Sequence, residues 1–332
     1  MTDPLPGTDR ATRPPRVLIT GAGGYLGRQL VAALAAGGVP GAEVLATDLH
    51  EPPPAGRVAG IAYACADVRA ASVEAVFTRF RPDVVVHLAS IVTPGPRSTA
   101  AEAHAVDVDG TRHVLQACRA GGARRIVVSS SGAAYGYHAD NPPLLTEDCA
   151  LRGHPSFAYA QHKRRVEGML AQWRVEQPAL QQVVLRIGTV LGATVHNQIT
   201  ALFERRRPLA LRGAASPFNF VWDQDVVAVL LRAIDGGPAG IYNVAGDGVL
   251  TIREIAARLG TRCLELPPGL LRAALALLHP LGLTRYGPEQ LDFLRYRPVL
   301  DNTRLKTVFG VVPRLDSAQV FDLWARTHGR AA

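Results

Sequence analysis

A tyrosine and a lysine stand four residues apart in the segment Tyr-Ala-Gln-His-Lys, at Tyr159 and Lys163. In a helix this spacing places both side chains on one face. A phenol has a pKa of about 10 in water, and a neighbouring ammonium group favours its ionised form. The pattern therefore predicts that Tyr159 acts as a general base whose phenolate is favoured by Lys163.

A run of three serines, Ser129, Ser130 and Ser131, precedes the segment Gly-Ala-Ala-Tyr-Gly and follows an apolar stretch. A hydroxyl at the end of such a strand can hydrogen-bond a substrate oxygen and help to pass its proton to Tyr159. A serine run or a Tyr-x-x-x-Lys motif alone occurs by chance in many proteins. Their occurrence in this order, behind a glycine loop, is hard to explain by chance.

The glycine loop contains Gly21, Gly24 and Gly27, after an apolar strand and before a helix. In the dinucleotide fingerprint the first glycine permits a tight turn, the second lets the backbone approach a pyrophosphate, and the third lets the helix pack on the strand. Asp48 follows about 20 residues later, where a carboxylate accepts hydrogen bonds from an adenosine ribose. Because a carboxylate repels a 2′-phosphate, we expect NAD rather than NADP as the cofactor. The nicotinamide's positive charge would further favour the phenolate of Tyr159, and Lys163 could hold its ribose hydroxyls.

The first half of the chain alternates apolar strands with helical patterns, which is typical of a parallel sheet with crossover helices. The predicted strands are Arg16–Thr20, Glu43–Asp48, Ile61–Cys65, Asp83–Leu88, Arg125–Ser130 and Gln182–Ile187, and the predicted helices include Ala101–Gly121 and Ser156–Gln177. The predicted fold class is α/β, a doubly wound parallel Rossmann sheet with a smaller C-terminal α/β substrate lobe. We assign residues 1–15 to a disordered leader, 16–187 and about 225–249 to the NAD-binding domain, and 188–224 and 250–332 to the lobe.

These motifs together resemble the extended short-chain dehydrogenase/reductases, in the NAD-dependent epimerase/dehydratase family, from about residue 16 to 260. The resemblance implies catalytic roles for Ser131, Tyr159 and Lys163, with Ser130 as the fallback serine. Asp107 stands where the family usually has an asparagine that stabilises the active-site geometry. His162 is expected to point away from the site. The cofactor residues that the resemblance implies are Gly21, Gly24, Tyr25, Leu26, Gly27, Asp48, Asp67, Val68, Leu88, Ala89, Tyr159 and Lys163.

The reaction is less closely determined than the family. Family dehydratases carry a carboxylate pair after the catalytic serine, whereas this chain has Gly132 and Ala133, which argues against 4,6-dehydration. Small residues there are typical of nucleotide-sugar 4-epimerases, the leading prediction. Thr189 and Phe218, however, replace an asparagine and an arginine that contact the sugar diphosphate. The predicted substrate residues are Ser131, Thr189, Arg212 and Phe218, and Arg295 or Arg297 are further candidates to replace the missing arginine.

The missing phosphate contacts keep a second function open, in which the enzyme is a net NAD-dependent dehydrogenase or ketoreductase on an apolar substrate, like the family's hydroxysteroid dehydrogenases. A third possibility is a binding or regulatory subunit that keeps only the cofactor site. The intact residues Ser131, Tyr159 and Lys163 argue against it.

The 332 residues carry a formal charge of +8, almost all of it on scattered arginines. Base composition of the genome explains this better than a nucleic-acid partner does, so none is predicted. No apolar run reaches the roughly 18 residues of a spanning helix, and no secretory signal precedes the first strand, so we expect a cytoplasmic protein without a membrane partner. Four separated cysteines predict reduced thiols and no metal site. The expected partners are a small-molecule substrate and a second copy of the chain, in a homodimer built on Glu102–Ala120 and Ser156–Gln177.

Overall fold

The computed structural model describes residues 13–92, 99–197, 199–284 and 287–330; most of the predicted leader, residues 1–15, lies outside them. The strands are β1 Arg16–Thr20, β2 Glu43–Asp48, β3 Ala62–Cys65, β4 Val84–His87, β5 Arg125–Ser131, β6 Gln181–Ile187, β7 Thr189–Leu191, β8 Leu209–Leu211, β9 Pro217–Phe218, β10 Phe220–Trp222, β11 Gly240–Val244, β12 Leu250–Thr251 and β13 Leu264–Leu266. The α-helices are α1 Tyr25–Ala35, α2 Val73–Phe80, α3 Ala100–His104, α4 Gly110–Gly121, α5 Ala158–Glu176, α6 Thr200–Phe203, α7 Asp223–Ile234, α8 Ile252–Arg258, α9 Pro268–Leu278, α10 Gln290–Arg295 and α11 Ser317–Thr327.

A central sheet of seven strands has the order β3-β2-β1-β4-β5-β6-β11, and every neighbouring pair is parallel. The order reverses between β1 and β4. In open α/β sheets a ligand binds outside the carboxyl ends of the strands at such a reversal. The topology confirms the predicted doubly wound Rossmann sheet and indicates where its ligands bind.

Helices cover both faces of this sheet, which explains why its strands are apolar throughout rather than alternating. On one face α1 and α7 bury Leu30 and Leu230 in a core that continues onto the strands. On the other face α2, α4 and α5 bury Phe77, Leu115 and Leu170. The two cores hold α1 and α5 against the sheet. Helix α1 follows the glycine loop, and helix α5 carries Tyr159.

The helix predicted over Ala101–Gly121 is not continuous. It is divided into α3, a π-helical turn at Ala105–Asp109, and α4. Asp107 lies in that turn, and its side chain is 0 % exposed. Single π-helical turns inside helices are frequent at functional sites, and periodicity alone does not predict them.

The C-terminal lobe contains three two-stranded sheets, in which β7 pairs with β10, β8 with β13 and β9 with β12. Its own core is rich in aromatic side chains, including Phe203, Phe220 and Trp324. Thr251 caps α8 in a capping box with Glu254. Within the described part of the chain no helix combines the length and apolarity needed to cross a membrane.

Candidate active site

A cavity of about 720 Å³ opens at the carboxyl ends of β1, β4, β5 and β6. This is the position that the reversal of strand order indicates. The sequence-predicted residues that line it are Gly21, Gly24, Tyr25, Leu26, Gly27, Leu88, Ser131, Tyr159, Lys163, Thr189 and Phe218. The glycine loop, the proposed catalytic residues and two proposed substrate residues thus share one cavity.

Tyr159 and Lys163 lie one turn apart on α5, with the ammonium nitrogen 5.5 Å from the centre of the phenol ring. Lys163 is buried and donates a hydrogen bond to the backbone oxygen of Ser129 at 2.9 Å. Burial raises the pKa of Tyr159, whereas a hydrogen bond with Ser131 lowers it. Burial lowers the pKa of Lys163, and the charges of Asp107 and Glu167 oppose that shift. The phenol is therefore a weak acid in this environment and depends on added positive charge to ionise.

The three serines at the end of β5 differ in their hydrogen bonds. Ser129 donates its hydroxyl to the backbone oxygen of His87, and Ser130 donates to the carboxylate of Glu167. The side chain of Ser131 accepts a hydrogen bond from the backbone N–H of Ala133 and also bonds to Tyr159. The geometry favours Ser131 over the fallback Ser130, because the hydroxyl of Ser130 is committed to a buried carboxylate.

That carboxylate belongs to a buried ion pair which holds the ends of β5 and β6 together. Arg186 on β6 donates to Glu167 on α5 at 2.7 Å, and both side chains are at most 5 % exposed. Arg186 also donates to the phenol oxygen of Tyr135 at 2.8 Å and to the backbone of Glu147. The pair is fully hydrogen-bonded, which is the condition under which a buried ion pair persists. It anchors α5 beside the serine strand.

The glycine loop has the close contacts that a dinucleotide requires. Gly21 has a φ of +74°, and a Cβ there would lie 2.5 Å from the backbone nitrogen of Ala89. A Cβ on Gly27 would overlap the carbonyl oxygen of Gly21. Gly24 caps α1 without a side chain, so the first N–H groups of the helix remain available to an anion. These features fit the diphosphate of NAD.

The residues predicted for the adenosine end lie beside the loop rather than in the cavity. Asp48 ends β2, and its Oδ2 accepts a hydrogen bond from the N–H of Gly23 at 2.8 Å. Asp67 forms an ion pair with Arg69 at 2.7 Å, and that guanidinium lowers the pKa of its carboxyl group. Val68 is buried in the core, and Ala89 lies behind Gly21. Asp48 is thus well placed for a ribose, whereas the side chains of Asp67 and Val68 have other partners.

Tyr25 connects the glycine loop to the C-terminal lobe. Its hydroxyl donates to Oδ2 of Asp223, the first residue of α7, at 2.6 Å. Burial and this carboxylate raise the pKa of Tyr25 to about 12. Its role here is to join α1 and α7 at the wall of the cavity, an interaction that spacing in the sequence does not predict.

Of the predicted substrate residues, Arg212 does not reach the cavity. It is exposed after β8, and its backbone N–H donates to the backbone oxygen of Leu266 beside the β8–β13 sheet. The end of β8 therefore points this arginine away from Thr189 and Phe218, which do line the cavity. The prediction that Arg212 supplies the missing cation is not supported by this position.

Arg297, which the sequence left as one of several candidates, does line the cavity. Its guanidinium carbon lies 4.1 Å from the ring centres of both Phe218 and Phe293. The residue is buried, and its Nε and Nη2 have no hydrogen-bond partner among the described residues. Burial lowers its pKa to about 10, so the group is still a cation at neutral pH. A buried guanidinium with unused donors is a binding group for an anion.

An aromatic wall that sequence reasoning missed surrounds the same region. Tyr137 makes edge-to-face contacts at 5.1 Å with both Phe157 and Phe293, and all three line the cavity. Burial raises the pKa of Tyr137 to about 12. These side chains come from three separate segments of the chain, so no local motif reveals that they meet.

His162 was expected to point away from the site, and it is not among the described residues that line the cavity. The ring is buried beside Asp107, with Nδ1 3.1 Å from Oδ2 of that carboxylate. The direction of the side chain on α5 does differ from that of Tyr159, but it leads into the protein rather than to solvent.

The model of the NAD dependent epimerase/dehydratase family matches residues 17–245. A 3-diazoavenalumate denitrifying reductase of Streptomyces is 32% identical over 306 residues, which cover 90% of this chain and 96% of that protein.

Solved structures with a similar fold include the enzyme WbmG of Bordetella bronchiseptica in complex with NAD and UDP, at a TM-score of 0.72 and 22% identity, covering 97% of this chain and 96% of that one. The UDP-glucose 4-epimerase of Thermotoga maritima with UDP-glucose has a TM-score of 0.72 and 20% identity, and the match covers 95% of this chain and 98% of that one. The predictions of the family, of NAD as cofactor and of an enzyme are confirmed. The chain is an NAD-dependent enzyme of the extended short-chain dehydrogenase/reductase type and belongs to the NAD-dependent epimerase/dehydratase family.

Proposed function

We propose that this enzyme oxidises a secondary alcohol of a nucleotide sugar and returns the hydride to the opposite face, as a 4-epimerase. The observation that carries the proposal is the shared cavity of Tyr159 and Arg297, a base and a buried cation whose Nε and Nη2 have no hydrogen-bond partner among the described residues. A nucleotide sugar has a reacting hydroxyl at one end and a diphosphate nearer the other, which matches these two groups.

The protein's own groups would handle the proton. Ser131 hydrogen-bonds the alcohol oxygen, and the phenolate of Tyr159 removes the hydroxyl proton as the carbonyl forms. Lys163 keeps the phenolate accessible through its charge and is itself held in place by Ser129. The glycine loop would hold NAD, which would supply a reversible hydride acceptor for this chemistry. Tyr159 gives the same proton back to the oxygen at the end of the cycle, so the reaction needs no external acid or base.

The composition of the cavity wall argues against dehydration. Elimination of water from a sugar requires an acid and a base beyond the tyrosine, and family dehydratases use a carboxylate pair for this. Gly132 and Ala133 occupy those positions, and no described residue that lines the cavity is an aspartate or a glutamate. Structures of this fold include both epimerases and a 4,6-dehydratase, so the fold alone does not choose between them.

Cofactor content and product formation together test the proposal. The purified protein is denatured and the released nucleotide is identified; an epimerase that recycles its cofactor should release about one NAD or NADH per chain. The protein is then incubated with UDP- and dTDP-hexoses, and the 4-epimers are separated by chromatography. Conversion without net change in NADH absorbance, lost in Tyr159→Phe, supports the proposal. Conversion by neither wild type nor variant across such substrates would exclude it.

A second function is favoured by the aromatic wall and by the sequence relative. Tyr137, Phe157 and Phe293 offer a sugar few hydrogen-bonding groups but suit an apolar ring, and Arg297 could then take a carboxylate. The Streptomyces relative is a reductase acting on 3-diazoavenalumate, by its name. On this alternative the enzyme is a net reductase or dehydrogenase of an apolar substrate. Stoichiometric consumption of NADH with an aromatic keto acid, and an empty cofactor site after purification, would distinguish it from an epimerase.

The proposed assembly is a homodimer through the face that α5 shares with the end of α4. Val175 near the end of α5 is 82 % exposed, and Trp173 beneath Arg119 is only partly buried, which supports an apolar contact there. Light scattering of the wild type and of Val175→Asp gives the test: a dimer that becomes a monomer in the variant is expected, and a monomeric wild type excludes the assembly.

A further inference from the structure

Asp107 places a carboxylate inside the protein, beside the helix that carries Tyr159. Its Oδ1 accepts hydrogen bonds from the hydroxyl of Ser90 at 2.7 Å and from the N–H of Ile91 at 3.0 Å. Its Oδ2 lies 3.1 Å from Nδ1 of His162. The carboxylate therefore connects α5 to the loop after β4, and Ser90 and Ile91 of that loop line the cavity. An asparagine, the usual residue of the resembled family, would bring no charge to this position.

A buried carboxylate is stabilised by hydrogen bonds and by a cation in contact with it. Two cations lie on neighbouring elements. Arg186 is paired with Glu167, whereas the ammonium of Lys163 donates to the oxygen of Ser129 and acts on Asp107 through its charge, with no hydrogen bond between them among the described residues. The group that does contact Asp107 and can carry a proton is His162, whose side chain is 7 % exposed. Since an ionised carboxylate only accepts, Nδ1 of His162 carries the hydrogen in this bond.

Further titratable groups surround the pair. His104 on α3 meets the ring of His162 edge-on at 5.4 Å, and Asp109 lies 3.3 Å from His104. His87 at the end of β4 is neutral, because burial and the charge of Lys163 lower its pKa to about 3. The groups that face the pair are Tyr159 and Lys163 from α5, His104 from α3, Asp109 from the π-helical turn and His87 from β4. The positive charge of Lys163 disfavours a positive charge on the ring of His162, whereas the carboxylates of Asp107 and Asp109 favour it.

We infer that Asp107 and His162 form a buried ion pair, and that the imidazolium of His162 cancels the charge of Asp107 at the phenol of Tyr159. Besides burial, the charge of Asp107 raises the pKa of Tyr159, which reduces the fraction of phenolate available to act as a base. A protonated His162 offsets the effect of the Asp107 charge on the pKa of Tyr159. The carboxylate continues to hold Ser90 and Ile91, in the loop after β4, against α5. His162 is thus a positioning residue that acts on the base through Asp107. The catalytic consequence rests on the proposed role of Tyr159.

The charge on His162 can be measured without substrate. In protein labelled with ¹⁵N-histidine, the ring nitrogen shifts of His162 are identified as the signals missing from His162→Gln and from a second variant, His162→Asn. We expect both ring nitrogens to carry a proton at neutral pH. A neutral ring with a single proton at neutral pH would overturn the inference.

The effect on Tyr159 is measured in the NAD complex by ultraviolet absorbance of the tyrosinate, with Tyr159→Phe subtracted. We expect His162→Gln to raise the midpoint of Tyr159 by about one pH unit, because the Asp107 charge is no longer balanced. The double variant Asp107→Asn/His162→Gln should return it to near the wild-type value. An unchanged midpoint in His162→Gln contradicts the inference. Full turnover in Tyr159→Phe would instead contradict the proposed function. The ¹⁵N shifts of His162 and the ultraviolet titration of Tyr159 would still test the ion pair.

Discussion

The guanidinium of Arg297 lies against the ring of Phe218, with 4.1 Å between the guanidinium carbon and the ring centre. Phe218 occupies the position at which the sequence lacks the family's phosphate-binding arginine. On the proposed function, Arg297 from a distant segment after α10 would supply the cation in place of that arginine, with the ring of Phe218 packed against it. Contact with two aromatic faces stabilises a cation that has no carboxylate partner among the described residues.

This relationship predicts separate effects on binding and on turnover. Arg297→Gln removes the charge but keeps a polar side chain of similar reach. We expect KM for an anionic substrate to rise by about 10- to 100-fold, as for a lost charge-assisted hydrogen bond, with kcat changing much less. Steady-state kinetics on wild type and variant give the values. Arg212→Gln is the matched control, since that exposed arginine lies outside the cavity, and its kinetics should be those of wild type. Equal KM values for wild type and Arg297→Gln would remove Arg297 from the substrate site.

The phenol of Tyr159 should matter for chemistry and not for cofactor binding. Tyr159→Phe keeps the ring and its contact with Lys163 but removes the proton acceptor. Loss of a general base lowers kcat by about 10²- to 10⁴-fold. The affinity for NAD, measured by calorimetry, should change by less than about tenfold. Because burial raises the pKa of this phenol, the phenolate forms only as the pH rises. Wild-type activity should therefore increase toward alkaline pH as Tyr159 ionises. A variant with wild-type kcat would show that another group removes the proton.

The parts of this site that the sequence predicts are those whose signals are local. The glycine loop, Asp48 and the Tyr159–Lys163 pair each depend on a strand end or a single helix turn, so residue spacing determines their positions. The predicted strands agree with β1 to β6 within a residue or so at each end. Spacing could not single out Arg297 from the other candidate arginines or reveal the aromatic wall, since these side chains come together only through folding of the lobe. The π-helical turn at Asp107 was not predicted for a related reason, because the buried partners of Asp107 lie in other elements.

The glycine loop gives a prediction with a close structural control. Gly27→Ala would place a Cβ against the carbonyl oxygen of Gly21, so the helix must move away from the strand. We expect NAD affinity to fall by at least tenfold and the free energy of unfolding to fall by about 1–3 kcal/mol from overpacking. Gly168→Ala in α5 is the control, because a Cβ there has no atom of the described residues within 4 Å. It should keep NAD affinity and gain up to about 1 kcal/mol of stability from helix propensity. Unchanged NAD binding in Gly27→Ala would argue against the loop as the diphosphate site.

His87 predicts how stability depends on pH. Its side chain is buried between the hydroxyls of Thr20 and Thr111, and burial lowers its pKa to about 3 in the folded protein. In the unfolded chain the pKa of a histidine is about 6.5, so below that pH the unfolded state binds a proton that the folded state does not. The free energy of unfolding should therefore fall between about pH 6.5 and pH 3, by at most a few kcal/mol, and this contribution should level off below. Urea titrations across this range measure it. His87→Gln should flatten the dependence, while the exposed His279→Gln should leave it as in wild type. If the slopes of wild type and His87→Gln coincide, the acid sensitivity arises from other groups.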